Sequence, residues 1–301
     1  MIFLHLKTRA RHLLIFAAVI LVCFHAPQLA VSQTDETSLS EDDVTQIIQK
    51  AKEGDAGAQY DLGVAYTNGL GVPKDEAKAV QWYRKAAEQG HVDAQYNLGL
   101  MYENGSGIPK DETKAVQWYI KAANQGDVDA QYNLGWIYTN GLGVPKDEAK
   151  AVQWYRKAAE QGNADAHYHL GWAYTNGLGV LKDETKAVQC YRKAAEQDHV
   201  AAQYSLGVMY ANGFGVPKDV TKAVQWYKKA ANEGLADAQT NLGLMYDTGL
   251  GVPKDETKAA EWYRKAANQG FAPAQYNLGS MYASGGGVPK NETKAVEWLR
   301  K

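Results

Sequence analysis

Few side chains in this sequence have the type and spacing for chemistry, and each has a simpler structural role. His167 and His169, with Cys190, form the softest potential metal set. Residues two apart on a helix point in different directions, and zinc takes three or four ligands, so no metal is expected. Gly69-Leu70-Gly71 has the glycine spacing of a phosphate cradle. It follows a helical segment, however, lacks a Gly-Lys-Ser/Thr ending, and returns as Gly141-Leu142-Gly143 and Gly177-Leu178-Gly179, which marks a turn. Asn291-Glu292-Thr293 spells a glycosylation acceptor, yet Asn291 stands where Asp75 opens a helix, so capping explains it. Acidic pairs such as Asp75-Glu76 recur for helix initiation. No nucleophile stands beside a base, so no catalytic residue and no cofactor is expected.

The remaining candidates suit recognition. Tyr132, Trp136, Tyr168 and Trp172 fall one helical turn apart in two successive segments, where four rings could make one patch. Asn97, Asn133, Asn241 and Asn277 flank that stripe and could hydrogen-bond an extended peptide. The candidate partner-binding residues are therefore Tyr132, Trp136, Tyr168, Trp172, Asn97 and Asn133. The alternative is that these rings pack against a neighbouring helix. Tyrosine at the Tyr60 position recurs regularly, whereas the Val64 position varies through Leu100, Trp136, Trp172, Val208, Leu244 and Ser280. Lys78, Arg84, Lys85 and Glu88 share an outer arc with Gln81 and read as a solvated mixed-charge face.

What positions these residues is a repeat. Leu62-Gly63 returns every 36 residues as Leu98-Gly99, Leu134-Gly135, Leu170-Gly171, Leu206-Gly207, Leu242-Gly243 and Leu278-Gly279. A fixed period of this length implies stacked units that bury their apolar faces only against one another. In one unit Ala58, Leu62, Ala65 and Tyr66 follow helical spacing, as do Ala79, Val80, Tyr83, Ala86 and Ala87. Two antiparallel amphipathic helices, A and B, follow. Gly69 should end helix A in the left-handed conformation, Pro73 keeps Val72 extended, and Asp75 should cap helix B, which runs to Gly90. Gly63 lies mid-helix at a cost of about 1 kcal/mol, which predicts another helix backbone passing too close for a Cβ. Tyr66, Trp82 and Tyr83 then supply the interior volume.

Val44, Ile47 and Ala51 have the spacing of Val80, Tyr83 and Ala87, so residues 41–53 read as an isolated capping helix with Ser40 as N-cap. At the other end helix B stops at Lys301, before its closing alanines, which leaves the last interface either frayed or covered from elsewhere. The opening residues are different in kind. Lys7, Arg9 and Arg11 precede the apolar run Leu13 to Phe24, and Ala30-Val31-Ser32 offers small residues for cleavage, which is the pattern of a secretory signal peptide. The run is shorter than the ~20 residues a spanning helix needs. Val22 before Cys23 argues against a lipoprotein signal. Cleavage removes three cations and no anion and takes the formal charge from −2 to −5. A mildly acidic chain without basic blocks lacks the footprint for nucleic acid. Cys190 would then be the one cysteine left, so stability must come from packing.

The set Ala58, Leu62-Gly63, Tyr66, Gly69-Leu70-Gly71-Val72, Asp75, Lys78-Ala79, Trp82-Tyr83, Lys85-Ala86-Ala87 and Gly90 resembles the Sel-one-like repeat (SLR) family, relatives of tetratricopeptide repeats. The resemblance implies an all-α, α/α helical-repeat solenoid, a right-handed superhelix of seven 36-residue units over residues 55–301, the last incomplete. Residues 1–32 are expected to be the signal peptide and 33–54 a linker and capping helix. It also implies an exported bacterial scaffold, periplasmic or secreted, that holds a protein or peptide on a concave wall lined by helix A, without catalysis and without a membrane span after cleavage. Some cysteine-rich relatives suggest a hydrolase of β-lactam or cell-wall substrates instead; the paired cysteines are missing here. Mass spectrometry of envelope-recovered protein should find the mature N-terminus at or near Gln33, and intact Met1 in the cytosol would refute export.

Overall fold

The computed structural model describes residues 41–300. The expected signal peptide, the first part of the linker and Ser40 lie outside those residues. Among the described residues, a single helix, α1 (Glu41–Glu53), precedes seven pairs. These are α2 (Ala56–Asn68) with α3 (Glu76–Glu88), α4 (Val92–Asn104) with α5 (Glu112–Asn124), and α6 (Val128–Asn140) with α7 (Glu148–Glu160). They continue as α8 (Ala164–Asn176) with α9 (Glu184–Ala195), α10 (Val200–Asn212) with α11 (Val220–Asn232), α12 (Ala236–Thr248) with α13 (Glu256–Asn268), and α14 (Ala272–Ser284) with α15 (Glu292–Leu299). Each packs on its neighbours in sequence, and α6 also touches α8 directly. Among the described residues there is no strand, and the architecture is an all-α helical-repeat solenoid.

Local chemistry sets the boundaries. Asp75 accepts the Lys78 N–H at 2.9 Å, and an aspartate or asparagine does the same at the start of every later second helix. Each cap contributes about 1 kcal/mol. Gly69 closes α2 with φ +76, and the Asp75 N–H then returns to the Tyr66 carbonyl at 2.9 Å, which folds the loop back and makes the pair antiparallel. Helix α3 stops at Glu88 with Gln89 as its cap, slightly before the Gly90 expected from sequence. In the loops, Gly107 has φ +65, and a Cβ there would land on the Glu76 carbonyl. Each such loop therefore lies directly on the first turn of the preceding second helix.

The mid-helix glycines serve a different contact from the one the sequence suggests. A Cβ on Gly135 would sit 2.5 Å from the Tyr155 ring, and the same relation joins Gly63 to Tyr83, Gly99 to Tyr119 and Gly171 to Tyr191. An aromatic ring of the paired helix, rather than a second backbone, excludes the side chain. Tyr83, Tyr119 and Tyr155 are accordingly buried, with Ala79 and Ala86 fully so. Trp82 and Tyr66 contribute less to the interior than their size predicts. They are half-buried, with Lys85 Nζ 4.0 Å from the Trp82 ring centre and Lys78 Nζ 5.3 Å from that of Tyr66.

Between repeats, buried glutamines carry the polar connection. Gln95 Nε2 donates to the Ala87 carbonyl at 3.0 Å, and Gln125 Nε2 donates to Gln95 Oε1 at 2.8 Å and to the Gly90 carbonyl at 3.1 Å. At the N-terminal end α1 buries Ala51 against α2 and Val44 against the Gly71 loop. At the C-terminal end Tyr276 and Val296 are exposed, although their counterparts Tyr96 and Val80 are buried.

Gly135→Ala separates two effects of opposite sign. Helix propensity alone would stabilise by up to about 1 kcal/mol, while overpacking against Tyr155 should destabilise by about 1 to 3 kcal/mol. Chemical denaturation should show a net loss, larger for Gly135→Val; a gain in either variant would mean the ring yields freely.

Candidate partner-binding face

The aromatic residues singled out in the sequence belong to α6 and α8, and the structure gathers three of them around His169. Its ring stacks on Tyr155 at 4.9 Å, lies 5.8 Å from Tyr132 and 5.4 Å from Tyr168, and meets Trp136 edge-on at 5.9 Å. Tyr132 is half-buried and also packs on Tyr155. Tyr168 is buried, against Tyr191 at 5.8 Å and stacked on His199 at 4.7 Å. Trp136 keeps 36% of its surface exposed. Trp172 is half-buried on the corresponding stripe of α8, and Asn176 Nδ2 donates to its carbonyl at 2.8 Å.

Asn97 and Asn133 are buried rather than open flanks. Asn133 lies beside the Tyr96 and Tyr119 hydroxyls, with its Nδ2 buried and lacking a hydrogen-bond partner. Asn241 shows the register in full: its Nδ2 approaches the Tyr204 hydroxyl of the previous repeat at 3.5 Å. His169 occupies this same register and approaches Tyr132 in the same way, Nε2 to hydroxyl at 3.5 Å. Sequence reasoning weighed His169 only as a metal ligand. The signal that could have found its role is its alignment with Asn97, Asn133, Asn241 and Asn277.

Burial among rings drives the His169 pKa down to about 4, with Asp165 opposing and His199 adding to the shift. His199 Nε2 lies 3.1 Å from Asp165 Oδ1, and its Nδ1 accepts the Ala202 N–H at 3.1 Å. Burial and then the charge of Asp165 hold the Asp129 carboxyl above its ordinary range. His167 stands apart, in the glutamine register, with Nδ1 buried and unpartnered. The Cys190 thiol, half-buried at the position tryptophan holds in most repeats, is pushed up to about 11 by burial. Among the described residues no group of three or more His, Cys, Asp or Glu is placed to hold a metal, and no helix is long and apolar enough to cross a membrane.

The Sel1 repeat profile matches residues 56–91, 92–127, 128–163, 164–199, 200–235, 236–271 and 272–301. The chain belongs to the Sel1 repeat family. Among solved structures, this Sel1 repeat chain is similar to a protective antigen present in uropathogenic Escherichia coli strains, which displays an SLR fold: identity is 43% and TM-score 0.81, over 85% of this chain and 55% of the antigen. It therefore spans about half the length of that relative. It is also similar to a Sel1 repeat protein from Oxalobacter formigenes, with 39% identity and TM-score 0.71, over 86% of this chain and 75% of the other. No curated protein matches it in sequence. Sel1 repeat proteins are generally scaffolds for protein interaction.

His169 makes the stability of this Sel1 repeat array depend on pH. Its folded pKa is about 4 against 6.5 for the unfolded group, so between those values the unfolded chain binds the extra proton. Stability from this site is complete above pH 6.5 and falls, by up to about 3 kcal/mol, as pH drops towards 4. His169→Asn, which restores the residue of the preceding repeat, should flatten the unfolding midpoint across that window relative to the parent. Parallel curves would assign the proton to another group.

Proposed function

We propose that this chain is an exported Sel1 repeat scaffold, periplasmic or secreted, that binds a protein or peptide along the face of its first helices and carries out no chemistry. The observation that carries the reading is Trp136. A large apolar ring left more than a third exposed is unusual inside a well-packed array, and Trp and Tyr are the anchors that dominate binding energy at interfaces. Trp172 repeats it one unit later, while the position is filled by smaller residues elsewhere. The direct approach of α6 to α8 supports placing these first helices on the inner, concave side. Export is supported by the basic, apolar and small-residue order of residues 1–32 and by similarity to a protective antigen.

Replacing both tryptophans by alanine tests the reading. As partner anchors, they should each contribute about 2 kcal/mol or more to affinity. Trp136→Ala with Trp172→Ala should then abolish capture of the envelope partner with little change in the unfolding midpoint. As packing residues, they would instead remove about 3 to 5 kcal/mol of stability each, and a large fall in midpoint would refute the proposal.

A further inference from the structure

The charges of this chain separate by element. The seven first helices, α2, α4, α6, α8, α10, α12 and α14, contain no lysine or arginine, while they hold Asp61, Asp93, Glu103, Asp129, Asp165, Asp237 and Asp247. The cations lie on the second helices and in the loops, and many are matched within their own repeat: Lys114 Nζ is 3.0 Å from Asp111, and Lys110 Nζ 2.9 Å from Glu112. One side of each pair is therefore internally neutralised, and the other carries charge of one sign.

On α6, Asp129, Asn133 and Trp136 fall four and three residues apart and share a stripe. Asp165, His169 and Trp172 repeat that stripe on α8, which touches α6. Asp129 is exposed as a residue although its surroundings partly desolvate the carboxyl, and it senses the charge of Asp165 across the repeat boundary; Asp165 itself also meets His199 Nε2 at 3.1 Å. Between Asp129 and Trp136 lies Asn133, nine-tenths buried beside the Tyr96 and Tyr119 hydroxyls of the previous repeat, so its amide belongs to the stack. The face thus combines neighbouring carboxylates with an exposed indole.

We propose that this face takes a lysine- or arginine-rich segment of a partner protein, its cations paired with Asp129 and Asp165 and its side-chain stems or guanidinium planes laid on Trp136 and Trp172. A cation relieves the repulsion between the two carboxylates, and an indole face attracts it further. An acidic partner or a nucleic acid meets charge of its own sign here. The inference rests on the reading of the tryptophan pair as a docking surface and adds the chemistry of the occupant.

The test is fluorescence anisotropy of two labelled peptides of equal length, one of alternating arginine, glycine and serine and one with glutamate in place of arginine, titrated with the mature chain. The basic peptide should bind saturably and weaken with salt, and the acidic one should not bind. Asp129→Asn with Asp165→Asn should weaken binding about tenfold or more with circular dichroism and unfolding midpoint retained. Glu160→Gln with Glu196→Gln, which removes equal charge from the second-helix side, should change it by less than about twofold. Equal loss in both double variants, or binding insensitive to salt, would reduce the effect to general acidity and overturn the proposal. Failure of the basic peptide to bind would overturn it too, while leaving the tryptophan capture result to judge the docking surface separately.

Discussion

The insertion of one tyrosine ring into the groove of its paired helix is the contact from which the rest of each repeat follows. Tyr83 over Gly63, Tyr119 over Gly99 and Tyr155 over Gly135 set how closely the two helices approach. The glycine weakens its own helix by about 1 kcal/mol; full burial of a ring returns more, on the order of 1.5 to 3 kcal/mol. That separation leaves room only for alanine at positions such as Ala79 and Ala86. It also provides the surface on which the first helix's own tyrosine rests, with Tyr60 5.8 Å from Tyr83 and Tyr132 6.0 Å from Tyr155. His169 then stacks on Tyr155. The aromatic face of the middle repeats is thus the outer layer of a structural stack, and Trp136 is the ring it exposes most.

Repeat four departs from its neighbours in several places at once, and the departures are physically linked. His167 replaces a glutamine that elsewhere donates to the preceding repeat and accepts from the end of its own, as Gln95 does. One imidazole cannot reproduce both bonds. Its Nδ1 is left buried without a partner, and Gln197, whose counterparts reach the buried glutamine, turns to the Lys193 carbonyl at 3.2 Å. Asp198 holds φ +60 where other repeats use glycine, and Gln203 Nε2 bonds its carboxylate at 3.3 Å while Gln203 Oε1 goes unmatched. A buried unmatched polar group costs about 1 to 3 kcal/mol. In a quasi-linear array such losses stay local, because each unit answers only to its neighbours.

The fold was legible because its signals are redundant: glycine, aspartate, alanine pairs and proline recur in step, and periodicity alone separates the two helices. Helix ends set by Gly69 and Asp75 were readable from capping chemistry. The partner of Gly63 was not, since a missing Cβ states that something is close without stating whether it is a ring or a backbone. Exposure within one register was equally hidden. Leu100, Trp136 and Leu244 occupy equivalent positions, yet they are 0%, 36% and 43% exposed. The difference lies in what neighbouring repeats place over them, a three-dimensional fact that sequence alignment of repeats does not contain. The asparagines were misplaced for a related reason: they lie one residue from the tyrosine register, but their hydroxyl partners belong to the previous repeat.

An array of near-identical units has to encode its partner in positions the stack does not use. Here the stack uses the tyrosines, the alanines, the glycine and the glutamine ladder, which leaves the Val64 register and the first turn of each first helix. Those are the places where Trp136, Trp172, Asp129 and Asp165 stand. The same division explains the charge pattern: lysines are needed beside the aspartate caps of the second helices, where they pair locally, and nothing in the packing requires them on the first helices. With no lysine or arginine on these helices, the first-turn aspartates Asp93, Asp129, Asp165 and Asp237 give that face its sign, in three successive units and again in the sixth.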